Sequence, residues 1–142
     1  MADYFQEIYD CYKEYMENNS KYSPIVTKKP QINPSKFPTI EIVEQDNKSY
    51  LSTLNNEYKY DSLIYDINIY TIDEEDEDGN IIPSYEIAQK LKLLTNNFFN
   101  NKLKMRRIIC SPIPNLDTNV YRVYMSFTCT VDIQRNIIIR RW

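Results

Sequence analysis

The densest concentration of ionisable side chains in this sequence is Asp73-Glu74-Glu75-Asp76-Glu77-Asp78, six carboxylates in a row followed by Gly79, the only glycine in 142 residues. Carboxylates at alternate positions before a turn glycine are what a helix-loop-helix calcium loop needs, because the hard cation takes oxygen ligands around a sharp bend. Aligning Gly79 with that bend puts Glu74, Asp76 and Asp78 at the first three ligand positions and Ile81 at the eighth. The match fails at position twelve, which must supply a bidentate carboxylate. Tyr85 stands there, Glu86 comes one place late, and Pro83 disturbs the segment between. The run therefore reads as a solvated acidic loop, kept in water by its own repulsion.

Other reactive constellations are scarce. The chain has no histidine, the side chain most often used for proton transfer near neutral pH and for binding transition metals. A single glycine leaves no phosphate-cradling Gly-rich loop and no nucleophile elbow. Three cysteines, Cys11, Cys110 and Cys129, form an odd set without CxxC spacing, so neither a disulfide framework nor a zinc site is expected, and buried free thiols are. These absences point away from an enzyme and imply no cofactor.

Basic residues gather at Lys102, Lys104, Arg106 and Arg107 and again at Arg135, Arg140 and Arg141, the last pair followed by Trp142. Charged strand ends are the simpler account, and a docking patch is the functional one. Arg106, Arg107, Arg140, Arg141 and Trp142 are thus the candidates for a protein interface, beside the acidic run Asp73, Glu74, Glu75, Asp76, Glu77 and Asp78. A formal charge of −3 argues against a dedicated nucleic-acid binder, whose affinity rests on neutralising phosphates. Aromatic residues do not interleave with the basic clusters as a stacking platform would. No apolar run approaches the ~20 residues of a membrane span, and the first ten residues lack the pattern of a secretory leader. The protein is expected to stay in the cell that makes it and to have no membrane partner.

The elements that must carry these residues follow from periodicity. Tyr4, Phe5, Ile8, Tyr9, Tyr12, Tyr15 and Met16 recur at helical spacing, predicting an amphipathic helix over 3–18. Pro24, Pro30, Pro34 and Pro38 then mark an extended connector at about 19–38 without regular structure, packed across a neighbour or flexible. Strands are expected over 39–45 and 58–72, the second with Leu63, Tyr65, Ile67 and Ile69 on a packed face and Asp66 and Asn68 on a wet one. Ser84 is placed to cap a second helix over 84–100, striped by Ile87, Ala88, Leu91, Leu94, Phe98 and Phe99. A strand over 105–110, a turn over 111–117, a long alternating strand from Tyr121 to Gln134, and a short reversal into Ile137, Ile138 and Ile139 complete the chain. The order α-β-β-α-β-β-β in one domain spanning 1–142 predicts an α+β fold, a mainly antiparallel sheet with two helices packed on a face.

One arrangement in the C-terminal half resembles a known family. The segment Ser62-Leu63-Ile64-Tyr65-Asp66-Ile67-Asn68-Ile69-Tyr70, the helix ending in Phe98-Phe99, and Met105 to Asp117 with its Pro112-Ile113-Pro114-Asn115-Leu116-Asp117 turn lead into Val120-Tyr121-Arg122. Together they look like the tail terminator, or tail completion, proteins of long-tailed bacteriophages and phage-tail-like particles. The likeness covers roughly residues 60 to 140, by arrangement more than by strict motif. It implies a ring, usually of six subunits, that stops tail-tube polymerisation and offers a junction to the head or neck.

The partners it implies are copies of the chain, the tail tube protein, the sheath protein in contractile tails, and head-tail connector or neck proteins. DNA would only pass through the channel, and the acid run taken alone suggests that a loop turned to that channel would repel DNA and let it slide. The implied location is the tail or neck of a virion or tail-like particle assembled in the host cytoplasm. Two alternatives stay open: another neck or connector protein, and a small monomeric inhibitor or immunity-type protein that blocks its partner with the acidic loop.

Overall fold

The computed structural model describes residues 4–30, 34–52, 59–114, 119–132 and 137–139. Helix α1 runs Tyr4–Asn19, and α2 runs Ser84–Asn96 and continues into a π-helical turn at Asn97–Lys102. The strands are β1 Ile25–Thr27, β2 Thr39–Ser52, β3 Lys59–Thr71, β4 Glu74–Glu75, β5 Ile81–Ile82, β6 Arg106–Ile113, β7 Tyr121–Asp132 and β8 Ile137–Ile139. The fold is α+β, with two helices, a main sheet ordered β1-β2-β3-β7-β6, and a separate β4-β5 hairpin. All pairings in the main sheet are antiparallel except β1 with β2. Strand β8 takes the side of β7 just beyond the start of β6, pairing at Thr130 to Asp132.

Alternation in β3 and β7 sets the core. Leu63, Tyr65, Ile67 and Ile69 lie opposite Cys129, Phe127, Met125 and Val123, so cross-strand partners bring two apolar stripes onto one face. Ile40 and Ile42 extend that layer across β2. Both helices cover it, with Ile8, Tyr12 and Met16 from α1, Ile87, Ala88 and Leu91 from α2, and Phe98 and Phe99 from the π-helical turn. Phe99 stacks on Phe127 at 4.8 Å between ring centres, Tyr12 packs on Phe99 at 5.1 Å, and Phe5 stacks on Tyr65 at 5.7 Å. Aromatic pairs at these separations add to the burial of their own surface.

Several sequence expectations need correction. The connector at about 19–38 is not without regular structure: Ile25 to Thr27 pair with Thr39 to Glu41 as a parallel edge strand, and Val26 is buried. A three-residue strand is too short to show a period, and the prolines around it hide it. The strand expected over 39–45 runs to Ser52 through register shifts at Glu44/Asp46 and Ser49/Leu51, whose bulges interrupt a simple alternation. The strand expected to end at Cys110 continues to Ile113 through Pro112. Proline is accepted there because β6 lies at the sheet edge.

Ser84 is not the cap of α2. Pro83 holds the cap position without a side-chain bond, and the Ser84 amide instead donates to Asp73 Oδ1 at 2.7 Å, reaching back across the β4-β5 hairpin. Asp73 therefore answers one of the free N–H groups that every helix start exposes. The Thr71 hydroxyl donates to the Ser84 carbonyl at 2.9 Å and ties the same helix end to β3.

Candidate assembly surfaces

The face of the sheet opposite the helices carries the other half of each strand, and there register assembles a polar cluster. Glu41 in β2 lies opposite Asn68 in β3, which lies opposite Tyr124 in β7. Asn68 Nδ2 donates to Glu41 Oε1 at 3.0 Å, while Asn68 Oδ1 accepts from Arg122 Nε at 3.0 Å and Nη2 at 2.8 Å. The Arg122 guanidinium also lies 5.3 Å from the centre of the Tyr70 ring, the cross-strand neighbour it faces. One row along, Tyr124 OH donates to Asp66 Oδ1 at 3.0 Å. Burial first, then the Asp66 carboxylate, pushes the Tyr124 phenol up from its ordinary value, so it stays a donor at neutral pH.

Burial likewise raises Tyr70, with Arg122 pulling it down and Glu41 pushing it up. Glu41, Asn68, Tyr70 and Ser126 are buried, and Asp66, Arg122 and Tyr124 are partly exposed. No helix packs on this face among the described residues. Asn68, expected to be wet, is instead the buried centre of the cluster. Its neighbours in space come from strands 27 and 54 residues away in sequence, so no local pattern marks them.

Strand β6 forms one edge of the main sheet. Arg107 lies opposite Phe127 and Ile109 opposite Ser126, so Ile108 is an extra residue and the strand bulges. Ile108 and Ile109 are both exposed, beside exposed Arg106 and Arg107. Arg107 Nη1 makes a long bond of 3.4 Å to Asn96 Oδ1. Lys102 reaches back over the Tyr15 ring at 4.6 Å, so part of this basic group already packs on α1. Charges and a bulge are devices that keep an edge from pairing at random, while consecutive exposed isoleucines give it an apolar contact area. Arg140, Arg141 and Trp142 lie outside the described residues.

The acidic run lies in solvent, as expected, and is built as a hairpin. Glu74 and Glu75 pair with Ile82 and Ile81, and Asp76 makes the turn. Asp76 Oδ1 accepts from the amides of Asp78 at 2.9 Å and Asn80 at 2.8 Å, and the Asp76 amide donates to the Asn80 carbonyl at 2.9 Å. Gly79 sits at φ 80°, in the left-handed region that explains glycine at this one position. Asp73 and Asp76 thus each turn one carboxylate oxygen to backbone amides, which shapes the turn and ties it to the start of α2. Glu75, Glu77 and Asp78 remain exposed, and partial burial raises the Glu74 carboxyl. No group of three or more metal-ligating side chains occurs among the described residues.

A groove lies where the C-terminal end of α1 and the chain after it meet α2. It has a volume of about 440 Å³ and is lined by Asn19, Ser20, Lys21, Tyr22, Lys90, Leu93, Leu94 and Asn97. Lys90 Nζ donates to Tyr22 OH at 3.3 Å and stands 3.6 Å from Glu86 Oε1. The Tyr22 contact, more than Glu86, raises the Lys90 ammonium above its ordinary value. The sequence did not single out this group, because Tyr22 sits in the proline-bearing connector and Leu93 looks like one more residue of an apolar stripe.

The thiols divide by location. Cys129 is buried and pushed up to about 12 by desolvation, so it stays protonated and a poor nucleophile at neutral pH. Cys110 is half-buried, and Cys11 is exposed, against the expectation of three buried thiols. Helix α1 turns its Tyr12 and Met16 side inward, which leaves Cys11 on the solvent side.

No family model and no curated protein sequence matches this chain.

Proposed function

We propose that the chain is a structural assembly protein that forms a ring, of six subunits as in the tail terminators it resembles. The ring ends the tail tube of a phage or tail-like particle and provides its junction with the head or neck. The observation that carries this reading is the β6 edge, where Ile108 and Ile109 stand exposed on a strand with one side unpaired among the described residues. A strand edge with adjacent apolar side chains supplies backbone pairing and apolar area together, which favours association with another protein surface.

The helix-free face adds a second contact area, on which the partly exposed Arg122 and Tyr124 are held in place before any partner arrives. Tyrosine and arginine fixed in this way lose little side-chain freedom on binding, which is why both residues recur as interface anchors. Copies of the chain, tube protein, sheath protein and neck proteins are the partners this reading assigns, with DNA confined to the channel.

Native mass spectrometry of the purified chain, alone and mixed with tail tubes, tests the proposal. Closed oligomers of defined stoichiometry, and caps at tube ends in electron micrographs, are expected. A chain that stays monomeric at all concentrations and ignores tubes would overturn it.

A further inference from the structure

The groove between α1 and α2 and the β4-β5 hairpin are complementary in charge and polarity. In the groove, two ammonium groups converge on one ring, with Lys21 Nζ 5.3 Å and Lys90 Nζ 5.8 Å from the centre of Tyr22. Beside them Leu93 is 66% exposed, which is a large apolar side chain left without cover. A site of this make-up takes a segment that carries an aliphatic side chain with a carboxylate next to it.

The same chain presents such a segment. On the hairpin, Ile81 is 67% exposed and lies directly opposite Glu75, so the two side chains project from the same face. The Asp76 turn bonds and Gly79 fix the hairpin's shape beforehand, which lowers the entropy lost on docking. Leu93 lies nine residues beyond Ser84, roughly 14 Å along the helix axis at the usual rise, so donor and acceptor are separate surfaces of one protomer.

We infer that the hairpin of one copy docks in the groove of the next, with Ile81 against Leu93 and Tyr22, and Glu75 against Lys21 and Lys90. Every subunit then gives one surface and receives another, a heterologous contact that closes into a ring when its rotation divides the circle. This contact rests on the ring-forming reading and names the surfaces that would close the ring.

Charge exchange tests it on the full chain. The variant Lys21→Glu with Lys90→Glu should weaken self-association by more than about tenfold in sedimentation, because two attractive pairs become repulsive. Adding Glu75→Lys to that variant should restore the oligomer, with circular dichroism confirming that both variants fold. In a Cys11→Ser background, mixing Ile81→Cys chains with Leu93→Cys chains should give a disulfide-linked dimer that neither chain forms alone.

If the double variant assembles like the unmodified chain, the contact is elsewhere and the ring reading survives without it. If the double variant keeps its oligomer but loses tube ends, the groove serves a different acidic protein and the inference is overturned. Failure of the folded triple variant to reassemble, or absence of the mixed disulfide, also rejects the pairing. An unmodified chain that never self-associates removes the ring and this contact together.

Discussion

The two faces of the main sheet are built from alternate residues of the same strands, yet they are held by different physics. Under the helices, Tyr12, Phe98, Phe99 and Phe127 interlock with aliphatic residues, and stability comes from apolar surface withdrawn from water. Burying one such side chain contributes about 1.5–3 kcal/mol. On the opposite face, Glu41, Asn68, Arg122, Asp66 and Tyr124 trade bonds to water for bonds to one another, each worth a net 0.5–1.5 kcal/mol or so. The first face can bear almost any apolar content of the right volume, whereas the second demands particular partners in particular register. A face of the second kind holds its polar groups in fixed positions and leaves some of them within reach of another molecule.

That contrast breaks most readily at Phe99. Phe99→Ala should remove about 3–5 kcal/mol of unfolding free energy, measured by denaturant titration, because it empties the point where α1, the π-helical turn and β7 meet. A loss below about 1 kcal/mol would mean that the helices are not tightly seated on the sheet.

Next comes a buried polar pair inside the apolar layer. Thr95 Oγ1 donates to the Leu91 carbonyl at 2.8 Å, so the Tyr12 hydroxyl, 2.7 Å away, must be the donor in their shared bond. Thr95→Val strands that buried hydroxyl and should cost about 1–3 kcal/mol, more than Tyr12→Phe, which leaves Thr95 its donor bond and should cost about 1 kcal/mol. Equal losses in the two variants would contradict this assignment of the proton.

On the helix-free face, Asn68→Ala cuts the links to Glu41 and Arg122 at once and should cost about 1–2 kcal/mol. Its effect on self-association should exceed its effect on folding if the face is used for contact. Unchanged association in the folded variant would assign the face a purely structural role.

The smallest effect belongs to neither face. Asp73→Ala removes the acceptor at the start of α2 and should cost about 1 kcal/mol, with faster amide exchange confined to the first turn of that helix.

Much of the helix-covered face was legible in the sequence. Leu63, Tyr65, Ile67 and Ile69 were expected on a packed face, as were the inward positions of α1 and α2, because a period of 2 or 3.6 in apolar residues already states which side is withdrawn from water. The opposite face was only half legible. Its residues could be assigned to strands, but Glu41, Asn68 and Arg122 could not be seen to meet.

The acidic run was expected in solvent and lies there, but its hairpin was not legible, because composition records charge and repulsion and not that Asp73 and Asp76 have backbone amides within reach. The connector was misread for a related reason. Its prolines deny local hydrogen bonds, while Ile25 finds its partner at Pro38 across a gap that only the folded chain closes.

By itself, then, the order of residues determined the two helices and the long strands, and which side of α1, α2, β3 and β7 turns inward, since both follow from torsional preference and side-chain spacing along one stretch of backbone. Register, the edge position of β6, the groove beside Tyr22 and the Asn68 cluster were decided only when distant segments packed. Those features depend on distances between residues far apart in the chain, and such distances exist only in the tertiary structure.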